Sequence, residues 1–179
     1  MNVLKKILLF VLGVIAVLLI IGFFVKKDYA VERKIVINKP KTEVFEYIKH
    51  LKNQDNFSVW ARKDPMTKKT YKGNDGEVGF VATWDSENEE VGKGEQEIAK
   101  IIEGERMDVK LRFKIPFEAE HDAYFLTESV SDNQTKVKWG FKGTMDYPMN
   151  LMLLFMDMDE MIGGDFEGGL KNLKEVLEK

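Results

Sequence analysis

Two carboxylates and an imidazole are the first side chains in this sequence with a claim on chemistry. Glu95 and Glu97, two apart in "EQEIAKII", would share one face of a strand, the face that also carries Ala99 and Ile101. Turned into an apolar interior, Glu97 would be a desolvated carboxyl with a raised pKa, a candidate general base. Turned to water at the open end of a sheet, it would be an ordinary surface charge. His121 stands among Glu118, Glu120 and Asp122, whose charges would favour the imidazolium and raise its pKa, as a proton shuttle needs. Its plainer role is a polar residue near a strand start. His50, at the end of a short helix, reads as a surface residue.

Little else in the chain could react. With no cysteine and only two histidines, the sequence offers no zinc-ligand spacing, thiol nucleophile or disulfide. It contains no G-x-S-x-G, no Walker loop and no G-x-G-x-x-G opening a helix; the glycines of "GKGEQE" lead into a strand. Asn56-Phe57-Ser58 and Asn133-Gln134-Thr135 match the glycosylation triplet, a pattern frequent by chance. The residues imply no metal and no cofactor, and an enzyme is the weaker reading.

Apolar side chains are plentiful instead. Trp60, Phe80, Trp84, Phe113, Phe125, Trp139 and Phe141, with Met152, Phe155 and Met158 near the C-terminus, are the candidate contacts for a hydrophobic ligand. Methionine fills irregular gaps, so the methionines between Met152 and Met161 suit a wall that adapts to variable guests, or a helix that leans on lipid.

These residues sit on elements that periodicity marks out. "VERKIVIN" alternates as a strand, and Pro40 opens a short helix with Val44, Phe45 and Ile48 on one face. Leu51 to Trp60 reads as a second, irregular helix, and "ARKDPMTK" as a loop turning at Asp64-Pro65. From Lys68 to Met145 the period becomes two. Val78, Phe80, Ala82 and Trp84 share one face, as do Met107, Val109, Leu111, Phe113 and Ile115, and later Val137, Trp139, Phe141, Gly143 and Met145. Strands apolar on one face only predict an antiparallel sheet with its other face in water. Turn signals at Asn74-Asp75-Gly76, Glu87-Asn88-Glu89, Glu103-Gly104-Glu105 and Ser131-Asp132-Asn133 give a meander of about six strands after the two small helices. The last thirty residues return to helical spacing, with Gly163-Gly164 and Gly168-Gly169 marking a bend, a break or a close approach to the sheet.

The N-terminus is a separate matter. Residues Ile7 to Val25 carry no charge and are bracketed by Lys5-Lys6 and Lys26-Lys27. As a helix this run spans roughly 28 Å, close to the ~30 Å hydrocarbon core of a bilayer. A cleaved signal would have a shorter apolar run and a small-residue cleavage site, whereas this one ends in Phe23-Phe24-Val25. The expectation is one retained transmembrane anchor, residues 1–27, followed by one domain, residues 28–179. Lysines flank the span on both sides, so charge leaves the side of the domain unresolved. With Lys5, Lys6, Lys26, Lys27 and Asp28 set aside, the 27 basic and 30 acidic residues become 23 and 29. A domain this acidic offers no footprint for nucleic acid.

The element order and local text resemble the START-like (SRPBCC) superfamily. "VINKPKTEVFEYI" is similar to its opening strand, proline and helix. Trp60 with Asp64-Pro65 resembles the W…DP segment of its bacterial polyketide cyclase/dehydrase-like members, and "GDFEGGLKNLKEVLE" their closing helix. The resemblance covers about residues 31 to 179. It implies an α+β helix-grip fold: a curved antiparallel sheet of six or seven strands wrapped around a long C-terminal helix, with two short helices after the first strand. It also implies a cavity between sheet and helix for a lipid-like or other hydrophobic molecule. Three functions stay open at this point: a membrane-anchored binding protein, a cyclase- or dehydratase-like enzyme using His121 or Glu97, and a stress or interaction module whose interior is filled by its own side chains.

Overall fold

The structure is a computed structural model that describes residues 2–115 and 118–179. Helix α1 (Val3–Gly22) is long and apolar enough to cross a membrane. Strand β1 (Asp28–Ile37) follows, then α2 (Lys41–Ile48), a 3₁₀ segment (Leu51–Asn56) and α3 (Val59–Lys63). Strands β2 (Lys68–Lys72), β3 (Val81–Asp85), β4 (Lys93–Ile102), β5 (Arg106–Ile115), β6 (Ala119–Ser131) and β7 (Gln134–Thr144) come next. A second 3₁₀ segment (Met149–Leu154) precedes α4 (Met158–Leu177). The strands form one sheet in the order β1-β7-β6-β5-β4-β3-β2, antiparallel at every pairing. Its concave face wraps α4, and the four turns read from the sequence join the strands they separate.

Three local expectations are corrected. The irregular helix after α2 is two pieces, and α3 runs on through Ala61–Lys63, residues that read as loop. Arg62 donates to the Asn56 carbonyl at 2.9 Å, which ties this extra turn back onto the 3₁₀ segment. Val78 is exposed, because the chain is still turning there and Gly79, with φ near +88°, breaks the alternation before β3 begins. Finally, a bulge in β4 between Ile98 and Lys100 changes which residues face the core. Ile98 and Ile101, three apart, both pack inward, and Glu95 and Glu97 fall on the convex face.

The terminal helix starts where its caps dictate. Asp157 accepts hydrogen bonds from the Asp159 and Glu160 amides at 2.9 and 3.1 Å, and the first turn is acidic, as the helix dipole favours. Phe166, Gly169, Leu170, Leu173 and Leu177 form its buried stripe. The helix runs unbroken through its glycines, two of which let it lie close to its neighbours. A Cβ on Gly169 would fall 2.6 Å from the Trp139 ring, and one on Gly163 would overlap the Arg33 guanidinium. That guanidinium reaches across from β1 to grip Asp159 through two 2.7 Å bonds and Glu167 through one of 3.1 Å.

This contrast separates two neighbouring glycines. Gly164 has open space where a Cβ would go. Gly164→Ala is expected to stabilise by about 0.5–1 kcal/mol through helix propensity, whereas Gly163→Ala loses that gain by displacing Arg33. Thermal unfolding of the two variants checks this, and equal shifts would show that the Arg33 contact does not constrain the helix.

Candidate functional site

Because α4 packs chiefly on β1 and β7, the concave face over β3 to β5 is left uncovered. The space there is a cavity of about 320 Å³, closed on its other sides by α3, the first 3₁₀ segment and the N-terminal half of α4. Trp60, Trp84, Phe113, Phe125, Trp139 and Phe141 line it, joined by Val109, Leu111, Ala123, Ile162 and Phe166. All three tryptophans of the protein are therefore in its wall.

The wall is held rigid by aromatic packing. Trp139 stacks on Phe166 at 4.7 Å and on Phe125 at 4.8 Å between ring centres, and meets Phe57 and Trp60 edge-on at 5.8 and 6.0 Å. Trp84 meets Phe113 edge-on at 5.7 Å, and its indole N–H donates to the Val91 carbonyl at 3.2 Å. Polar groups are few. Ser58 is buried at the wall, and Gln96 donates its amide to Gln54 at 3.3 Å. Ion pairs strap the rim: Lys63 of α3 reaches Asp165 of α4 and Glu90 of the β3–β4 turn, each at 3.4 Å, and Lys69 reaches Asp55 at 2.6 Å.

Four candidate contacts lie elsewhere. Phe80 is wholly buried just before β3, stacked on Tyr71 at 6.0 Å, and belongs to the core. Met158 packs on that core, while Met152 and Phe155 face outward, Phe155 being 82% exposed. The reason is the interruption before Asp157: the 3₁₀ segment folds back against the end of α1 instead of continuing α4 over the sheet. Gln54, Gln96, Ser58, Ala123 and Ile162 line the cavity without having been singled out in the sequence. Small and polar residues in a mixed pattern give no periodic signal, and only the tertiary arrangement gathers them.

The two candidate acid–base residues are not together. Glu97 bonds Arg112 at 2.6 Å on the convex face, in a lattice of charges that also includes Glu95 and Glu120. His121 lies on the inner face beyond the cavity wall, packed against Phe141, Phe113 and Tyr29 with ring centres 5.1, 5.9 and 6.3 Å away, and its Nδ1 is buried without a hydrogen-bond partner. Burial pushes its pKa below the ordinary histidine value, against a smaller pull from Asp122. The expected rise from neighbouring carboxylates is thus overturned, because the alternation of β6 points Glu120 and Asp122 to the opposite face. His50 is half-buried rather than on the surface proper, its ring set against Gly76. Among the described residues, no group of three His, Asp or Glu side chains is placed to hold a metal ion.

The depressed His121 pKa fixes the sign of a pH effect. As pH falls, the unfolded chain protonates this residue first, near its ordinary pKa of ~6.5, so its contribution to stability is full above that value and is lost as pH drops towards the folded-state pKa. His121→Phe, which places an apolar ring among three aromatic neighbours, is expected to reduce the fall in Tm between pH 7 and pH 5. It also removes an unpaired buried nitrogen, a gain of about 1 kcal/mol. Identical pH profiles for variant and parent would place the acid sensitivity in other groups.

No protein-family model matches the sequence, and no curated protein matches it. Solved structures do match the fold. A truncated norcoclaurine synthase from Thalictrum flavum superposes with a TM-score of 0.62 at 8% identity, over 86% of this chain and 96% of that one. The Aha1 dimer from Colwellia psychrerythraea gives 0.58 at 15% identity, over 84% and 96%. A protein from Thermobifida fusca gives 0.57 at 18% identity, over 83% and 92%. A curved seven-stranded sheet around a C-terminal helix, with two short helices after the first strand, defines a helix-grip protein. The chain shares that fold with these solved structures, at identities of 8–18%.

Proposed function

We propose that this is a membrane-anchored carrier or receptor, residues 28–179 forming the binding domain and α1 the anchor, which holds a lipid-like or other hydrophobic molecule in the cavity between sheet and α4. The observation that carries the reading is the mismatch between the cavity's size and its lining. A space of about 320 Å³ would hold on the order of ten waters at ~30 Å³ each, yet its walls are mainly aromatic and aliphatic and offer few of the 2–4 partners each water needs. An apolar guest exchanges poorly bonded water for dispersion contacts and gains roughly 25 cal/mol per Å² of apolar surface covered. Gln54, Gln96 and Ser58 supply polar groups within the lining, and Asp55, Thr67, Lys69 and Glu90 add more, so the fitting guest is amphipathic, an apolar body with a polar end.

The volume also speaks against an interior filled by the protein's own side chains. Neither His121 nor Glu97 lines the space, so the catalytic reading loses both of its residues. The three tryptophans make the test direct, since all the indole emission comes from the cavity wall. Titration of the detergent-solubilised protein with a conjugated polyene fatty acid that absorbs at tryptophan emission is expected to give saturable, one-to-one energy transfer. Transfer that rises linearly without saturating reflects micelle partition alone and would remove this reading.

A further inference from the structure

The end of α1 is not a free tether. Asn150, fully buried, donates its side-chain amide at 2.7 Å to the carbonyl of Gly22, which the helix end leaves unpaired, and at 3.0 Å to that of Val25, three residues further on. Leu151 and Tyr147 press on Gly22 so closely that a Cβ there would fall 3.1 Å from each, and the Phe23 ring stacks on Tyr147 at 4.5 Å. The segment Met149–Leu154 is thereby fastened to the point where α1 stops. A twenty-residue helix is about 30 Å long, the thickness of the hydrocarbon core, so a segment clamped to its last residue sits at headgroup depth.

What that segment exposes is apolar. Leu154 and Phe155 are 51% and 82% exposed, and at the end of α1 Phe23 and Phe24 are 73% and 86% exposed. The sheet register brings the cavity rim to the same end of the fold. Following the pairs Asp28↔Thr144, Ala119↔Phe113, Ile115↔Lys93 and Asp85↔Lys68, the start of β1 shares one end of the sheet with the segments that lead into β2 and β4. Met66, 86% exposed, projects there beside the rim residue Thr67, and Met161 is exposed next to the wall residue Ile162. At the opposite end the exposed apolar residues Val36, Tyr71, Val78, Ile102 and Val130 belong to separate strands and turns.

We infer that Met149–Phe155 is an interfacial platform that lies in the headgroup–acyl boundary of the bilayer crossed by α1, and that it holds the rim of the cavity against that surface. The occupant of this apolar face is lipid, because the segment that carries it is fixed to the end of the membrane helix itself by the Asn150 clamp. A guest then passes between bilayer and cavity without the domain leaving the membrane. This rests on the membrane-anchored reading above and adds the orientation of the domain to it.

The absence of cysteine makes the test clean. The full-length variants Phe155→Cys and Val130→Cys, labelled with an environment-sensitive fluorophore, are reconstituted in phosphatidylcholine–phosphatidylglycerol vesicles containing lipids with a nitroxide near the top of the acyl chain. The label at position 155 is expected to be quenched several-fold more than the label at 130, independently of protein-to-lipid ratio. Adding Asn150→Ala is expected to reduce that quenching while the chain stays with the vesicles. Equal, weak quenching at both positions in vesicle-bound protein overturns the platform, and so does quenching at 155 that changes on dilution with lipid, which would assign the face to a second copy. Chain recovered free of vesicles overturns the anchor as well. Saturable fatty-acid uptake alongside an unquenched label at 155 leaves the binding function standing and removes only the platform.

Discussion

Trp139→Ala is expected to cost about 3–5 kcal/mol of stability, the range for removing a large buried aromatic side chain, and to lower Tm by roughly 10 °C. Trp139 is 5% exposed and touches α4 through Phe166, β6 through Phe125, the residue closing the first 3₁₀ segment, Phe57, and α3 through Trp60. Its loss therefore loosens four elements together, a large share of the ~5–15 kcal/mol that holds a typical domain. Trp139→Phe, which keeps part of the stacking, is expected to recover more than half of the loss. Near-UV circular dichroism during thermal unfolding of the detergent-solubilised chain measures both. A Trp139→Ala variant melting within a degree or two of the parent would mean that the aromatic cluster does not hold the grip together.

Ala123→Phe is expected to weaken fatty-acid binding at least tenfold while the domain remains folded. Ala123 lies between Val109 of β5 and Phe141 of β7 in the sheet, and all three face the cavity. The added ring has the empty space to enter, so it competes with the guest instead of straining the core; a tenfold loss corresponds to about 1.4 kcal/mol. Phenylalanine also leaves the three-tryptophan signal unaltered. Gly143, which reads from the sequence as another position on this inner face, is unsuitable for the same purpose, because a side chain there would overlap the Tyr29 ring and disturb the β1–β7 pairing. Undiminished binding by a folded Ala123→Phe protein would place the guest outside the cavity.

Period-two runs such as Met107 to Phe113 and Val137 to Phe141 made the sheet legible from the sequence, because burial on one face leaves an alternating record. The same rule grouped Glu97 on one face with Ile101, which the structure separates. An unmarked extra residue at Ala99 shifts the phase of β4, and no side-chain type announces such a bulge. His121 failed differently: its acidic neighbours in sequence are its opposites in space, since successive strand residues point to opposite faces. The paired glycines of α4 announced something unusual but not which of three causes applied; the guanidinium of Arg33 and the indole of Trp139 supply the answer. Asn150 carried no signal at all. Its function as a clamp depends on carbonyls 125 to 128 residues earlier in the chain.

These corrections move the chemistry out of the site and leave the site itself simpler. Glu95 and Glu97, which suggested catalysis, pair with Arg112 on the convex face, while the cavity lining is mainly aromatic and aliphatic. Such a division is the one the proposed carrier needs, with the charges outside and an apolar interior.

The most direct measurement is native mass spectrometry of the full-length protein released from detergent micelles, with solvent extraction of whatever accompanies it. The expected result is a discrete additional mass, one molecule per chain, that extracts as an amphipathic lipid-like compound and is absent from Ala123→Phe. A bare protein mass in the parent, under conditions that also yield no saturable fatty-acid binding, would contradict the carrier reading.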